Sequence, residues 1–246
     1  MSTRGSAVLS IDSVSVQDYV KAIYAATEWQ DDAVTATHLA ARLSVANSSV
    51  TGMVMKLVDL GLAHHRKYGP ISLTPSGRTL ALAMVRRHRL IETFLVADLG
   101  YGWDEVHNEA ERLEHYVSDD FIERLDRKLD HPARDPHGDP IPTADGTIRY
   151  PHAHRVDELD DGHSGALLRV SDSDPEVLRL LDRLGVSLDD RLVVGRPGGS
   201  RLRLHVVAHG SAARTGWFEV DAAVGGALWV GAADPHSTCS LVKSFG

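Results

Sequence analysis

The chain has 246 residues, a length suited to two or three domains, and its 43% hydrophobic and 24% charged residues are ordinary for a globular protein. The single cysteine, Cys239, excludes an intrachain disulfide framework and a cysteine-rich zinc site, and no stretch approaches the roughly 18 apolar residues of a membrane helix. The net charge of −8 is unevenly spread: residues 33–87 carry seven basic side chains against the single acid Asp59, a local +6 that leaves −14 for the remainder.

The opening MSTRGSAVLSIDSV has no apolar run behind a basic start, so no signal peptide is expected and the reducing cytoplasm is the expected compartment. In SVQDYVKAIYAATEW (15–29) the spacing of Val16, Tyr19, Val20, Ile23 and Tyr24 predicts a first amphipathic helix. Thr35 or Thr37 can cap a short second helix with Leu39, Ala40 and Leu43 inward. After a turn at Val45–Ala46, NSSVTGMVMKLVDLG predicts a third, with Asn47 as N-cap, Gly61 as stop, and Val50, Met53, Val54, Leu57 and Leu60 as the buried stripe. Two strand-like pieces, LAHHRKYG and PISLT, then turn about Gly69–Pro70. Helix, helix, turn, helix, hairpin is the order of a winged helix-turn-helix.

Three more helices are expected over 75–98, 104–117 and, capped by Ser118 or Asp119, to Leu129. Residues 130–164 hold five prolines, several glycines and His131, His137, His152, His154 and His163, a composition of loop and linker in which the histidines read as loop residues. From Gly165 on, ALLRV, RLVVG, SRLRLHVVA, GWFEV and ALWVG read as strands, with a short helix in DPEVLRLLDRL. Short strands with glycine turns suggest a small barrel, and ADPHSTCSLVKSFG reads as a tail.

The third helix is the candidate for reading DNA. Its first turns expose Asn47, Ser48, Ser49, Thr51 and Gly52, with Lys56 further along; small hydroxyl and amide groups there can bond phosphates and base edges. Arg66 and Lys67 fit a wing touching the flanking backbone, and His64 and His65 at its start would meet phosphate or solvent. A basic segment in an acidic chain is the footprint of phosphate contact, although a solvated basic face has the same composition.

A second constellation carries metal chemistry. In HNEAERLEHYVSD, Glu111, Glu114 and His115 stand at i, i+3 and i+4, on one face of a helix; His107 is four residues before Glu111, and His88 and Glu92 are an i, i+4 pair on the preceding helix. Facing helices that project carboxylates and imidazoles can enclose a metal, while the bland alternative is solvated surface charge.

The runs VRRHRLIETFL, VHNEAERLEHYVSD and DPHGDPIP, in this order, resemble the diphtheria-toxin-repressor family of metal-activated repressors, over about residues 15–142. The resemblance implies an α+β chain with a winged helix-turn-helix (1–76), a helical metal-binding and dimerisation domain (77–150), a linker (151–164), an SH3-like small β-barrel (165–233) and a tail (234–246). It implies a primary metal site of Asp18, Glu111, Glu114 and His115. Iron-sensing members have methionine and cysteine at the positions of Asp18 and Glu111; a hard, oxygen-rich set suits Mn2+, so the chain looks like the manganese-sensing branch, with Fe2+ as the alternative. Short manganese sensors carry a further acidic ligand where this chain has Lys21, a departure from their closely spaced two-metal arrangement. His88, Glu92 and His107 match the ancillary site of longer members, to which the SH3-like domain would add Asp172 and Glu176 of SDSDPEV.

The function so implied is a homodimer that binds double-stranded operator DNA when metal fixes the spacing of its two recognition helices, and that controls metal homeostasis. A metal-dependent hydrolase would need an open coordination position and a positioned base in a cleft, and no catalytic motif is visible. A metal-storage protein would bind metal without metal-dependent DNA binding.

Overall fold

A computed structural model describes residues 12–30, 33–66, 69–197, 202–207 and 216–231 of the chain. Lys67, Cys239 and the tail 234–246 lie outside the described residues. The chain divides into two compact units: Met1–His88 with Glu114–Tyr116 and Pro142–Thr147, and Arg89–Leu113 with Val117–Ile141 and Ile148–Gly246.

The first unit opens with α1 (Val14–Glu28), whose expected stripe of Val16, Tyr19, Val20, Ile23 and Tyr24 is buried throughout. Thr35 caps α2 (Ala36–Arg42), its hydroxyl accepting the His38 amide at 3.1 Å. The turn passes through Ser44 at φ 53° into α3 (Asn47–Asp59). Asn47 is not the N-cap of α3. Ala46 takes that place with an extended backbone and no side-chain bond, and Asn47 is already helical, its carbonyl accepting the Thr51 hydroxyl at 3.1 Å. Of the expected stripe, Val50, Val54 and Leu57 are buried and Met53 and Leu60 half-buried; Gly61 ends the helix at φ 69°.

The wing is a two-stranded antiparallel hairpin, β1 (Ala63–His65) and β2 (Ile71–Leu73), with Ala63 opposite Leu73. It is tied back at Ile71, whose amide donates to the Val34 carbonyl at 2.9 Å. Thr74 opens α4 (Pro75–Leu99): its hydroxyl donates to the Gly61 carbonyl and accepts the Gly77 amide. Pro75 loses nothing at the first turn, where its missing amide has no helical partner. Gly77 is required by close approach, since a Cβ there would lie 1.9 Å from the Leu62 carbonyl oxygen.

In the second unit the latter part of α4 packs with α5 (Trp103–Leu113) and α6 (Asp119–Lys128) around Leu90, Ile91, Leu95, Val106, Ala110, Ile122 and Leu125. Ser118 caps α6, accepting the Phe121 amide at 3.2 Å. The expected helix over 104–117 stops at Leu113. The Arg87 guanidinium donates to the Glu114 carbonyl at 3.4 Å, so this last carbonyl has a partner other than a helical amide.

The C-terminal part is a six-stranded antiparallel sheet in the order β3-β8-β4-β5-β6-β7. Its strands are β3 (Ala153–Arg155), β4 (Ser164–Val170), β5 (Arg191–Gly195), β6 (Leu202–Val207), β7 (Gly216–Val220) and β8 (Leu228–Gly231). The strands expected from Gly165 on are all present, but β3 falls within the stretch read as linker and pairs with β8. Two helices complete the layer: α7 (Pro175–Leu184), capped by Asp174 and ended by Gly185 at φ 67°, and the short α8 (Ala222–Gly226). Alternation along β5 and β6 turns Leu192, Val194, Leu202, Leu204 and Val206 onto one core, which Val177, Leu178 and Leu181 of α7 close. Among the described residues no helix is long and apolar enough to cross a membrane.

Candidate metal centres and nucleic-acid surface

In the first unit, α1 presents Asp18 and Lys21 one turn apart, and residues 114–116 bring Glu114 and His115 to them. His115 Nε2 lies 2.9 Å from Asp18 Oδ1 and 3.4 Å from Glu114 Oε1, and its Nδ1 is 2.8 Å from Gln17 Oε1. Glu114 is fully buried. Lys21 donates to its Oε1 at 2.6 Å, and His88 Nδ1 stands 2.6 Å from its Oε2. Burial alone would push the Glu114 carboxyl up; His88 and Lys21 outweigh it and hold it below the usual carboxylate range. Asp18, Glu114 and His115, expected together, are therefore together. His88, read as half of an i, i+4 pair with Glu92, spends its Nδ1 on Glu114. Glu114 and His115 fall in a turn beyond α5, not on the helical face from which the sequence would project them.

In the second unit, His107 Nδ1 lies 3.0 Å from Asp172 Oδ2 and 3.4 Å from Glu92 Oε1, and its Nε2 lies 3.6 Å from Glu111 Oε1 on the same helix. His137, buried at 1% exposure, sets Nδ1 3.9 Å from Glu92 Oε2 and Nε2 3.0 Å from the Trp103 carbonyl oxygen. Glu92, His137 and Asp172 each place a donor atom within 4.8 Å of the others. Burial disfavours a charge on His107, but Asp172 and Glu92 more than compensate and push its pKa up to about 10. His107 and its neighbours in turn hold Asp172 well below the usual range against its burial. Asp172 thus joins the cluster, on the loop after β4. Glu176 does not: it sits exposed on the first turn of α7, paired with Arg179 at 2.8 Å.

His137 is the residue that sequence reasoning missed. It belongs to a tight turn in which Asp135 Oδ1 accepts the amides of His137 and Asp139. Gly138 at φ 93° passes so close beneath β4 that a Cβ would lie 2.0 Å from the Leu168 carbonyl oxygen. Asp139 then accepts from Arg169, 2.7 Å away, whose guanidinium lies over the Trp229 ring at 4.1 Å. The signal was local: an Asp-x-x-Gly-Asp turn, which fixes the ring between two prolines.

The residues expected to read DNA lie on the third helix and its hairpin. Asn47, Ser48, Ser49, Thr51 and Gly52 are all exposed, Lys56 is half-buried, and Arg66 is exposed beside the hairpin. A Cβ at Gly52 would meet nothing within 4 Å, so the surface there is open to an incoming backbone.

The first unit holds the winged helix and one carboxylate–imidazole cluster, the second unit holds another, and the chain is similar to known proteins. Residues 13–71 match the model of the iron-dependent repressor N-terminal DNA-binding domain, and residues 74–143 that of the iron-dependent repressor metal-binding and dimerisation domain. The chain belongs to the diphtheria-toxin-repressor family of metal-dependent repressors. It is 37% identical over 126 residues to the iron-dependent repressor IdeR of Mycobacterium tuberculosis, covering 50% of this chain and 54% of that protein. It is 36% identical over 129 residues to the diphtheria toxin repressor of Corynebacterium diphtheriae, covering 52% and 56%. The chain thus spans about half the length of the curated relatives it matches. Among solved structures, a manganese-dependent transcriptional repressor in complex with manganese superposes with a TM-score of 0.82 at 44% identity, covering 88% of this chain and 99% of that one. The manganese regulator SloR gives 0.73 at 30% identity, covering 88% and 97%.

Proposed function

We propose that the protein is a manganese-activated transcriptional repressor, acting in the cytoplasm as a homodimer on double-stranded operator DNA to control metal-ion homeostasis. The observation that carries this reading is the grouping of Asp18, Glu114 and His115 in a unit that also holds the winged helix. The donor set fits a hard divalent cation: carboxylate oxygens and one imidazole, with neither thiolate nor thioether. Glu111 is the fourth ligand that the family resemblance implies. A bound divalent ion would supply the charge that holds these ligands together. Asp18 belongs to α1 and Glu114 and His115 to the turn after α5, so ligation ties the helix packed against α2 and α3 to the dimerisation segment. Metal acts on DNA affinity only through tighter binding to the DNA-competent arrangement.

On DNA, the first turns of α3 offer Asn47, Ser48, Ser49 and Thr51 to base edges and phosphates, and Lys56, Arg66 and Lys67 to the backbone. In the second unit, Glu92, His107, His137 and Asp172 form an ancillary metal site that joins α4, α5 and the C-terminal sheet. The action is binding, not catalysis. Iron is the second reading, favoured by the iron-dependent naming of the curated relatives.

The test is a fluorescence-anisotropy titration of the promoter of the source organism's manganese transporter at one stated salt concentration, with Mn(II), with anaerobic Fe(II) and without metal. Tight binding at lower Mn(II) than Fe(II), lost in Asp18→Ala, is the expected result. Equal or better activation by Fe(II) moves the protein to iron, and metal-independent binding overturns the sensor reading altogether.

A further inference from the structure

We propose that Met55 and Gly52 form an apolar reading edge on α3 that recognises the C5-methyl group of thymine in the major groove. This rests on the reading of α3 as the helix that meets DNA. Ser48, Gly52 and Met55 follow one another at helical spacing, so they share one face of α3, opposite the buried Val50, Val54 and Leu57. Met55 is 53% exposed on that face, where its neighbours are a hydroxyl and a glycine.

The fold does not require either residue. The backbone at Gly52 is helical, and a Cβ there would meet nothing within 4 Å. Glycine inside a helix is destabilising relative to alanine, and here no close packing offsets that cost. One exposed apolar side chain needs no explanation by itself. A large one beside a glycine that the packing does not demand, on the face that carries the DNA-reading hydroxyls, points to an apolar partner.

The major groove narrows that partner to one group. Of the four bases only thymine presents an apolar substituent there, its C5-methyl. With no side chain at Gly52, the helix backbone can come close to the base edges, which brings the end of the Met55 side chain within reach of the methyl. The exposed serines and Thr51 discriminate weakly, because a hydroxyl both donates and accepts. α3 has no arginine, and its one lysine, Lys56, is half-buried, so guanine has a single candidate reader. Asn47 fits adenine and Met55 fits thymine, so the helix as a whole favours A·T pairs.

The experiment removes the methyl from the DNA and the side chain from the protein in turn. A duplex is selected from a random library by the full chain loaded with Mn(II), and in parallel with anaerobic Fe(II). Its thymines are then replaced one at a time by deoxyuridine, which lacks only the C5-methyl and keeps every hydrogen-bonding group. The parent is expected to lose about three- to fivefold in affinity at one thymine of each half-site, the scale of one buried methyl group. Met55→Ala is expected to bind the selected duplex more weakly and to bind the duplexes with and without that methyl equally. Gly52→Ala is expected to raise the metal-free melting temperature and to weaken binding of the duplex. A parent indifferent to deoxyuridine at every position overturns the proposal, as does a Met55→Ala protein that still distinguishes the two duplexes. Gly52→Ala that binds as tightly as the parent removes the close approach and overturns it as well. If neither metal yields a preferred duplex, the reading of α3 as a DNA-reading helix falls with it, whereas a preferred duplex without methyl dependence sinks only the role of Met55.

Discussion

Glu114 and Glu92 are both buried carboxylates set against imidazoles, yet their surroundings differ in one respect that governs how each can take up metal. Glu114 is held by Lys21 and His88, both at 2.6 Å. Glu92 faces two imidazoles at longer range, His107 at 3.4 Å and His137 at 3.9 Å. An imidazole that gives up its proton becomes a ligand; an ammonium stays a competitor. The Glu92 cluster must displace the proton that Asp172 and Glu92 hold on His107, whereas the Glu114 cluster must share its carboxylate with a lysine. On the proposed metal-binding reading, the first cluster loads by competing with a fixed charge and the second by releasing a proton.

The largest expected effect comes from Glu114. Glu114→Ala leaves Lys21 and His88 buried around a void, and removing one partner of a buried pair costs about 3–5 kcal/mol. Calorimetry without metal should show that loss, and anisotropy should show that metal no longer activates DNA binding. Near-parental metal-free stability would mean that the ion pair is not the element that organises the first cluster.

His137→Ala tests the second cluster. It should weaken the ancillary ion by roughly 10–100-fold, the range for removing a supporting group at a metal site. His152→Ala, at an exposed histidine of the same proline-rich stretch, should leave the isotherm unchanged. Equal effects from the two would return His137 to the status of a structural core histidine.

That contrast between histidines also marks where the sequence stops being readable. The helices were legible because their apolar residues recur at helical spacing over two or more turns, and the stripe of α1 is buried as expected. Glu114 and His115 were legible in their i, i+3, i+4 spacing with Glu111, and Asp18 through the resemblance. Three things were not, each because the deciding partner is distant in sequence. α5 ends at Leu113, and the Glu114 carbonyl just beyond it accepts from Arg87, 27 residues away. The Asp135 turn that holds His137 is local, but the Trp103 carbonyl that its Nε2 meets is 34 residues away. Strand β3 is three residues, Ala-His-Arg, with no alternation of its own, and exists because β8 offers an edge.

A moderate effect is expected at the wing. Arg66 is exposed, and as a phosphate contact its loss should weaken binding about equally on all DNA sequences and reduce the salt slope by roughly 0.9. Thr51→Ala on α3 should instead change preference among operator variants at similar salt slope, since a base-edge contact carries sequence information and a phosphate contact does not. An unchanged salt slope in Arg66→Ala would take the wing off the DNA.

The smallest effect separates the two acidic residues near the start of α7. Asp172 lies 3.0 Å from His107, and that imidazole holds it ionised despite its burial. Glu176, four residues on, is paired only at the surface with Arg179, and an exposed pair of this kind contributes about 0–1 kcal/mol. Glu176→Gln should therefore leave both metal isotherms unchanged and stability within about 0.5 kcal/mol. Asp172→Asn should weaken the ancillary ion while leaving the primary one intact. The two acids are only four residues apart, so a reversal of these outcomes would mean that the loop after β4 turns Glu176 inward when metal binds, and that the ancillary site is assembled by the ion and not by the fold.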